Sequence, residues 1–426
     1  MNLSLPKRLV LTTLVGYAIF CLPAFAACSG SSPTWTAASI SQTDVSACIT
    51  AASAGDTINV PNGTTTTWST LTDNKGVTLA CPGGSCTITT SSAAYKFSCP
   101  SGTKFGRITG FSFTGIGNSS NGDVELDGPA SGTGCTARVD NNSFSNSGLS
   151  IFLAVQENCS DTTFPHFLAD HNSFTGSGAS EMIHNLGCGA GNAAGWGFDV
   201  VPGSDNMLIV EDNTFTCTGG SPFCSAIEAY YGAATTFRHN TLNFSQVDQH
   251  GTCGNIYARW WEIYTNTFFP QGLNQSNYAA LRGGSGLFYS NSESGSNTGA
   301  GSIELTEDCS TGSYPIADQV GRGISQNSSP AYVWGNTGTM PVSSGNATYV
   351  QIGASTGACA HSPCDVVSTS SQPTLTRCQS AADVSAGCPV TYTYTPFTYP
   401  DPLQGGAVNP VSSPAAVILA RMLARQ

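Results

Sequence analysis

Between about Ala137 and Asn336 one pattern of hydrophobic and polar positions recurs: an apolar residue, two polar ones, an Asn, a Ser or Thr, then usually Phe. It reads Val139-Asp-Asn-Asn-Ser-Phe144, Ala169-Asp-His-Asn-Ser-Phe174, Val210-Glu-Asp-Asn-Thr-Phe215, Phe237-Arg-His-Asn-Thr-Leu242 and Ile263-Tyr-Thr-Asn-Thr-Phe268. Weaker copies follow at Phe288-Tyr-Ser-Asn291 and Val333-Trp-Gly-Asn-Thr337. The Asn residues stand at 142, 172, 213, 240, 266, 291 and 336, so successive steps are 30, 41, 27, 26, 25 and 45 residues. A period near 25 residues points to a solenoid. Each copy has β-branched or aromatic residues at alternate positions and closes on turn residues, the pattern of a strand. A step this short, with two or three turns in it, leaves no room for a helix. The fold class predicted is therefore all-β, a right-handed parallel β-helix.

The period also predicts side-chain directions. Counted from the Asn, positions −3 and +2 are apolar and point inward, so the phenylalanines form a stack in the core. The Asn column is a turn position where an amide can bond backbone groups and its neighbours in adjacent coils. Position −2 points to the opposite face of the pleat. It holds Asp140, Asp170, Glu211, Arg238, Tyr264, Tyr289 and Trp334.

Before the repeat, 43–54 has near-helical apolar spacing, with Thr43 or Asp44 as N-cap and Gly55 as the stop. A short helix there would cover the open end of a solenoid. Strands are expected at Thr57–Val60, Val77–Ala80, Cys86–Thr89 and Arg107–Phe113. Gly-rich residues 185–197 and residues 292–330 read as excursions from the coil, and long insertions on a rigid scaffold commonly shape binding surfaces. The β-helix is assigned to 27–345. From 346 the repeat is lost, and 346–426 reads as an extended C-terminal cap and tail, with a small helix over 413–426.

The first 26 residues read as a secretory signal: Lys7 and Arg8, an apolar run from Leu9 to Cys21, then Ala24-Phe-Ala26 as the cleavage site. The apolar run is too short to span a membrane. Phe25-Ala-Ala-Cys28 is a competing lipoprotein box with Cys28 as the lipid anchor. Of the 17 cysteines, Cys21 leaves with the signal and an even number remains. None has Cys-x-x-Cys spacing, so disulfides that pin loops are expected, not zinc. Close pairs are Cys81/Cys86, Cys217/Cys224, Cys359/Cys364 and Cys378/Cys388. A guessed completion is Cys28/Cys48, Cys99/Cys135, Cys159/Cys188 and Cys253/Cys309.

The net charge of −12 argues against nucleic acid and anionic membrane as partners. Only 9% of residues are charged. That suits a secreted, monomeric β protein whose surface bonds through hydroxyl and amide ladders.

Several segments together resemble a known group. Thr43-Asp-Val-Ser-Ala-Cys-Ile through Gly55-Asp-Thr-Ile-Asn-Val-Pro-Asn-Gly63 is similar to the capping helix and first coil of secreted bacterial β-helix proteins of the pectate-lyase-like superfamily. Ile209–Phe215, His250-Gly251, Trp261–Phe268, Arg282-Gly-Gly284, Asp318–Gly323 and Tyr399-Pro-Asp-Pro-Leu403 resemble a largely uncharacterised subset of it. Residues 231–236 lack the Arg expected there, and Asp401 stands where that subset more often has His. The resemblance covers nearly the whole mature chain and implies the fold. It leaves activity open, since the superfamily mixes lyases, hydrolases, isomerising enzymes and non-catalytic adhesins.

Two constellations could act on a polysaccharide or cell-surface glycan laid along such a rod. The first is the column Asp140, Asp170 and Glu211 with Asp212 beside it. Close carboxylates raise one another's pKa and create an acid beside a base. Alternatively they bind Ca²⁺, as the resemblance implies for superfamily lyases acting on acidic sugars. The second is Asp248, His250, Arg259, Glu262 and Arg282. Arg259 and Arg282 would neutralise a uronate carboxylate, and His250 or an Arg would take its α proton. Tyr264, Tyr289, Tyr332 and Trp334 are candidates to stack on sugar rings, while His171, His184 and His239 read as surface ladder residues. The function expected is an exported protein that binds and cleaves an extracellular polysaccharide by β-elimination or carboxylate-assisted hydrolysis. The alternative is a non-catalytic adhesin or matrix protein.

Overall fold

Alternation of apolar and polar residues drives the chain into short strands that stack coil upon coil. The computed structural model describes residues 27–405 except 91–92, 100–103, 116–121, 129–134, 147–150, 157–164, 178–180, 188–199, 219–223, 252–256, 271–276, 296–301, 306–318, 345–351 and 355–363. Three long sheets result: sheet A with 14 strands, sheet B with nine and sheet C with ten. Within the coils each strand pairs in parallel with its counterpart one coil away, as a β-helix requires. The recurring phrase supplies the end of an A strand, the A-to-B turn and the start of a B strand, as in Cys135–Asp140 followed by Ser143–Ser145.

The inward positions are as expected. Val139, Ala169, Val210, Phe237, Ile263 and Phe288 are fully buried. Phe113, Phe144, Phe174 and Phe215 stack in register, with successive ring centroids 5.0, 4.8 and 4.9 Å apart. The asparagines form a continuous ladder. The amide N–H of Asn172 donates to Asn213 Oδ1 (2.9 Å), that of Asn213 to Asn240 Oδ1 (2.9 Å), and that of Asn240 to Asn266 Oδ1 (3.0 Å). The left-handed residue of each turn is the one before the Asn: Asn141, His171, Asp212, His239, Thr265 and Ser290 have φ of 53–58°. Asn213 Nδ2 also donates to Ala169 O, Glu211 O and Asn240 Oδ1. Asn213→Ala would orphan buried partners on both sides, at about 2–4 kcal/mol. Urea unfolding of the variant checks this.

The start and end of the rod differ in detail from expectation. The helix spans Gln42–Ala51 and is capped by Ser41, whose hydroxyl accepts from the Asp44 N–H. Arg107–Phe113 is two strands bent at Gly110, where φ is +83°. Residues 302–305 within the expected excursion 292–330 are a sheet C strand, and Val366–Thr369 adds to sheet A beyond the predicted limit of 345. Disulfides join Cys28–Cys48, Cys81–Cys86, Cys99–Cys135, Cys217–Cys224 and Cys378–Cys388. They fit an oxidising compartment. Because Cys28 Sγ is joined to Cys48, it is not a lipid-bearing thiol. Among the described residues no helix is long and apolar enough to cross a membrane. The signal segment, the excursion over 188–197, the helix expected at 413–426 and Cys159, Cys188, Cys253, Cys309 and Cys359 lie outside the described residues.

Candidate functional site

The −2 column of sheet A faces away from the rod's interior, as predicted, yet it is not open. Asp140, Asp170, Glu211 and Arg238 are all 0% exposed. Two things bury them. Each carboxylate faces an arginine: Arg107 reaches Asp140 at 2.6 Å, Arg138 reaches Asp170 at 2.7 Å and Arg238 reaches Glu211 at 2.6 Å. Over them lies the C-terminal strap, residues 392–405. Arg238 donates to Phe397 O (2.6 Å) and Thr398 O (2.8 Å), and Arg138 donates to Leu403 O (3.0 Å). The Asp401 N–H donates to Glu211 Oε1, and Gln404 Nε2 donates to both Glu211 and Asp212.

The oxygens of these carboxylates are engaged by guanidinium, amide and backbone donors, so the column forms an ion-pair ladder. Calcium or a chelator should leave the melting temperature unchanged, as differential scanning fluorimetry will read. The aromatic column is covered too. Tyr264, Tyr289 and Trp334 stack on one another with centroids 4.8 and 4.4 Å apart, and with Tyr332 and Tyr394 they build a second hydrophobic core beneath the strap. They are not open to a sugar.

The second predicted cluster divides between sheets. Glu262 lies on sheet A, 0% exposed, accepting from the Gly203 N–H (2.7 Å), Trp260 Nε1 (2.9 Å) and the Tyr394 hydroxyl (2.7 Å). Burial pushes its pKa up, and those three donors work against that. Arg259 is also buried there and donates to Gln379 O (2.7 Å). The two residues tie the strap region to the rod. Asp248, His250 and Arg282, by contrast, come together on sheet C.

There the chain assembles a group that sequence reasoning had only in part. His184, Glu228 and Asp248 stand in one row on successive coils, paired in register. Strand alternation puts their side chains on the outer face. Arg282 Nη2 reaches Glu228 Oε1 and Asp248 Oδ2, both at 2.9 Å, and its Nε donates to Asp248 Oδ1 at 2.9 Å. The Tyr230 ring lies between two histidines, its centroid 4.2 Å from that of His250 and 4.7 Å from that of His184. The Gly251 N–H donates to His250 Nδ1 (2.8 Å), so in the neutral imidazole the proton sits on Nε2, 3.8 Å from Glu228 Oε1. Glu181 Oε2 lies 3.8 Å from His184 Nε2.

The electrostatics of this group separate its members. Burial pushes the Glu228 carboxyl up to about 8, and the neighbouring Glu181 adds to the rise, against Tyr230 and Arg282. Glu228 is thus a neutral acid at pH 7. Burial lowers His184 to about 4 and keeps that ring neutral. Burial, then the charges of Glu228 and Glu181, push the Tyr230 hydroxyl well up. The group is not sealed: the side chains of Arg282, His250 and Glu181 are 17, 14 and 32% exposed. Among the described residues, no cluster of three or more His, Cys, Asp or Glu is arranged to hold a metal.

Glu181, His184, Glu228 and Tyr230 were missed as site residues. A signal existed: Ile183-His184, Ile227-Glu228 and Val247-Asp248 each place an aliphatic residue before a titratable one. Compared with family models and with curated proteins, the chain matches none.

Proposed function

We propose that this protein is an exported β-helix enzyme that binds a neutral extracellular polysaccharide along the outer face of sheet C and hydrolyses it, with Glu228 as proton donor. The observation that carries this reading is a buried glutamate set in register between His184 and Asp248 and bonded to Arg282 in a partly open group, where burial pushes its carboxyl up to about 8. A general acid needs a pKa near the working pH, and burial beside a like charge is how a carboxyl reaches it. Glu228 gives its proton to the glycosidic oxygen, and Arg282 and Tyr230 stabilise the carboxylate left behind. Asp248, fixed by the same guanidinium, sits one strand away and opposes positive charge developing on the sugar ring. A water molecule bonds to the ring carbon that the departing oxygen leaves, and the proton it sheds returns to Glu228 through Glu181, which restores the acid.

Hydrolysis of a neutral polymer is favoured over β-elimination on a uronate. Elimination needs cations to neutralise the sugar carboxylate, and Arg282 is already held by the Asp248 carboxylate and by the Glu228 side chain. The segments 157–164, 188–199, 252–256 and 306–318, which follow strands of sheet C, contain no Lys or Arg. Membership of the pectate-lyase-like superfamily and secretion belong to the same proposal, supported by the β-helix and its disulfides.

The test is a panel of neutral and acidic polysaccharides incubated with mature protein, read as reducing ends and as absorbance near 235 nm. New reducing ends on a neutral polymer without that absorbance support the proposal. Absorbance on a uronate polymer would replace it with a lyase, and silence on every polymer from well-folded protein would favour the adhesin reading.

A further inference from the structure

A groove of about 720 Å³ runs along the corner between sheets A and B, a different flank of the rod from the acid group on sheet C. Its two rims follow from the repeat. One rim is the left-handed turn column Gly110, Asn141, His171 and Asp212. The other is the first outward residue of each B strand, Ser112, Ser143, Ser173 and Thr214, paired in register coil to coil. The ladder asparagines Asn142 and Asn172 form the floor, with their amides turned into the rod. Asn141, Ser143, His171, Ser173 and Thr214 are exposed. The disulfide-closed turn Cys81–Cys86 borders one end. At the other, Tyr399 is 45% exposed, lies 3.6 Å from the His239 ring and donates its hydroxyl to Asp212 Oδ1 (2.8 Å).

We propose that this groove is a second carbohydrate-binding site, which holds a neutral glycan chain lying parallel to the rod axis. The rims offer hydroxyl, amide and imidazole groups repeated once per coil, and no Lys or Arg lines the trough. Strands lie ~4.8 Å apart, so five coils span roughly 19 Å. That rung spacing is close to the rise of one pyranose unit in an extended chain, so each sugar meets one hydroxyl rung. The absence of basic lining, with Asp212 present, disfavours acidic sugars. The site would keep the protein on its polymer while sheet C acts, and in this it rests on the hydrolytic reading above.

Affinity electrophoresis through gels containing hydroxyethylcellulose, β-1,4-xylan or polygalacturonate tests it, on the Glu228→Gln protein so that nothing is cleaved. At least one neutral gel should retard the protein. The double variant Ser143→Leu/Ser173→Leu should weaken that retardation tenfold or more, and Ser143→Thr/Ser173→Thr should retain it. Ser145→Leu/Thr175→Leu, one column outside the groove, is the folding and surface control and should bind as the parent does. Undiminished retardation of the Leu double variant, equal weakening in the control, or retardation by polygalacturonate alone would overturn the groove. If no gel retards the protein while wild type still cleaves a neutral polymer and Glu228→Gln does not, the groove fails and the hydrolytic reading stands.

Discussion

Glu228→Gln is expected to lower polysaccharide cleavage by a factor of roughly 10²–10⁴, the usual contribution of a positioned general acid. Gln keeps the shape and the contact with Arg282 but has no proton to give. Wild-type activity should fall as pH rises through about 8, where Glu228 loses its proton. Stability should move the other way in the variant. The folded-state value lies above the ordinary 4.5, so between about pH 4.5 and 8 the native state holds a proton that the unfolded chain has released. Wild-type stability therefore declines as pH rises across that window, and Gln removes the decline. At pH 8 the variant should be more stable, by something on the order of 2–4 kcal/mol, and near pH 4.5 the two should melt together. Rate profiles and melts across pH read both effects. Loss of activity with unchanged pH dependence of stability would mean that Glu228 is not the buried acid.

The rod was legible because its signal is local and periodic. One Asn phrase marks the A-to-B turn in every coil, and alternation from that mark fixes which side of each strand is apolar. Reading outward from it failed in two directions. On sheet A, Asp140, Asp170 and Glu211 do point away from the core, but they are covered by a strap whose bonds to Glu211 come from residues 190 and 193 positions later in the chain. No local pattern carries that. On sheet C, the interval from the Asn to the outward titratable residue varies between coils: Asn172 to His184, Asn213 to Glu228 and Asn240 to Asp248 are all different. The B-to-C turn changes length, so the phase set by the ladder is lost before sheet C begins. Asp248, His250 and Arg282 were found through their rarity in a chain with few charges. Glu262 and Arg259 were drawn in for the same reason, and they serve the strap instead.

That division makes a second substitution informative. Arg238→Met should destabilise the fold by about 3–5 kcal/mol, the cost of removing one partner from a buried ion pair. Arg238 is 0% exposed, and it satisfies Glu211 at 2.6 Å, the Tyr264 hydroxyl at 2.9 Å and two strap carbonyls at once. Met fills much of the volume but leaves Glu211 with a charge facing Asp401 and no guanidinium. The burial that already raises Glu211 would then act unopposed by Arg238. Its carboxyl should take up a proton at higher pH than before, so the penalty should shrink as pH falls. Cleavage per folded molecule should be unchanged, since sheet A is closed and the proton donor stands on sheet C. Chemical denaturation at pH 8 and pH 4.5, with activity measured well below the unfolding range, separates the two functions of these carboxylates. If Arg238→Met removed activity from a folded molecule, the strap face would return as the site of chemistry and Glu228 would be a structural acid.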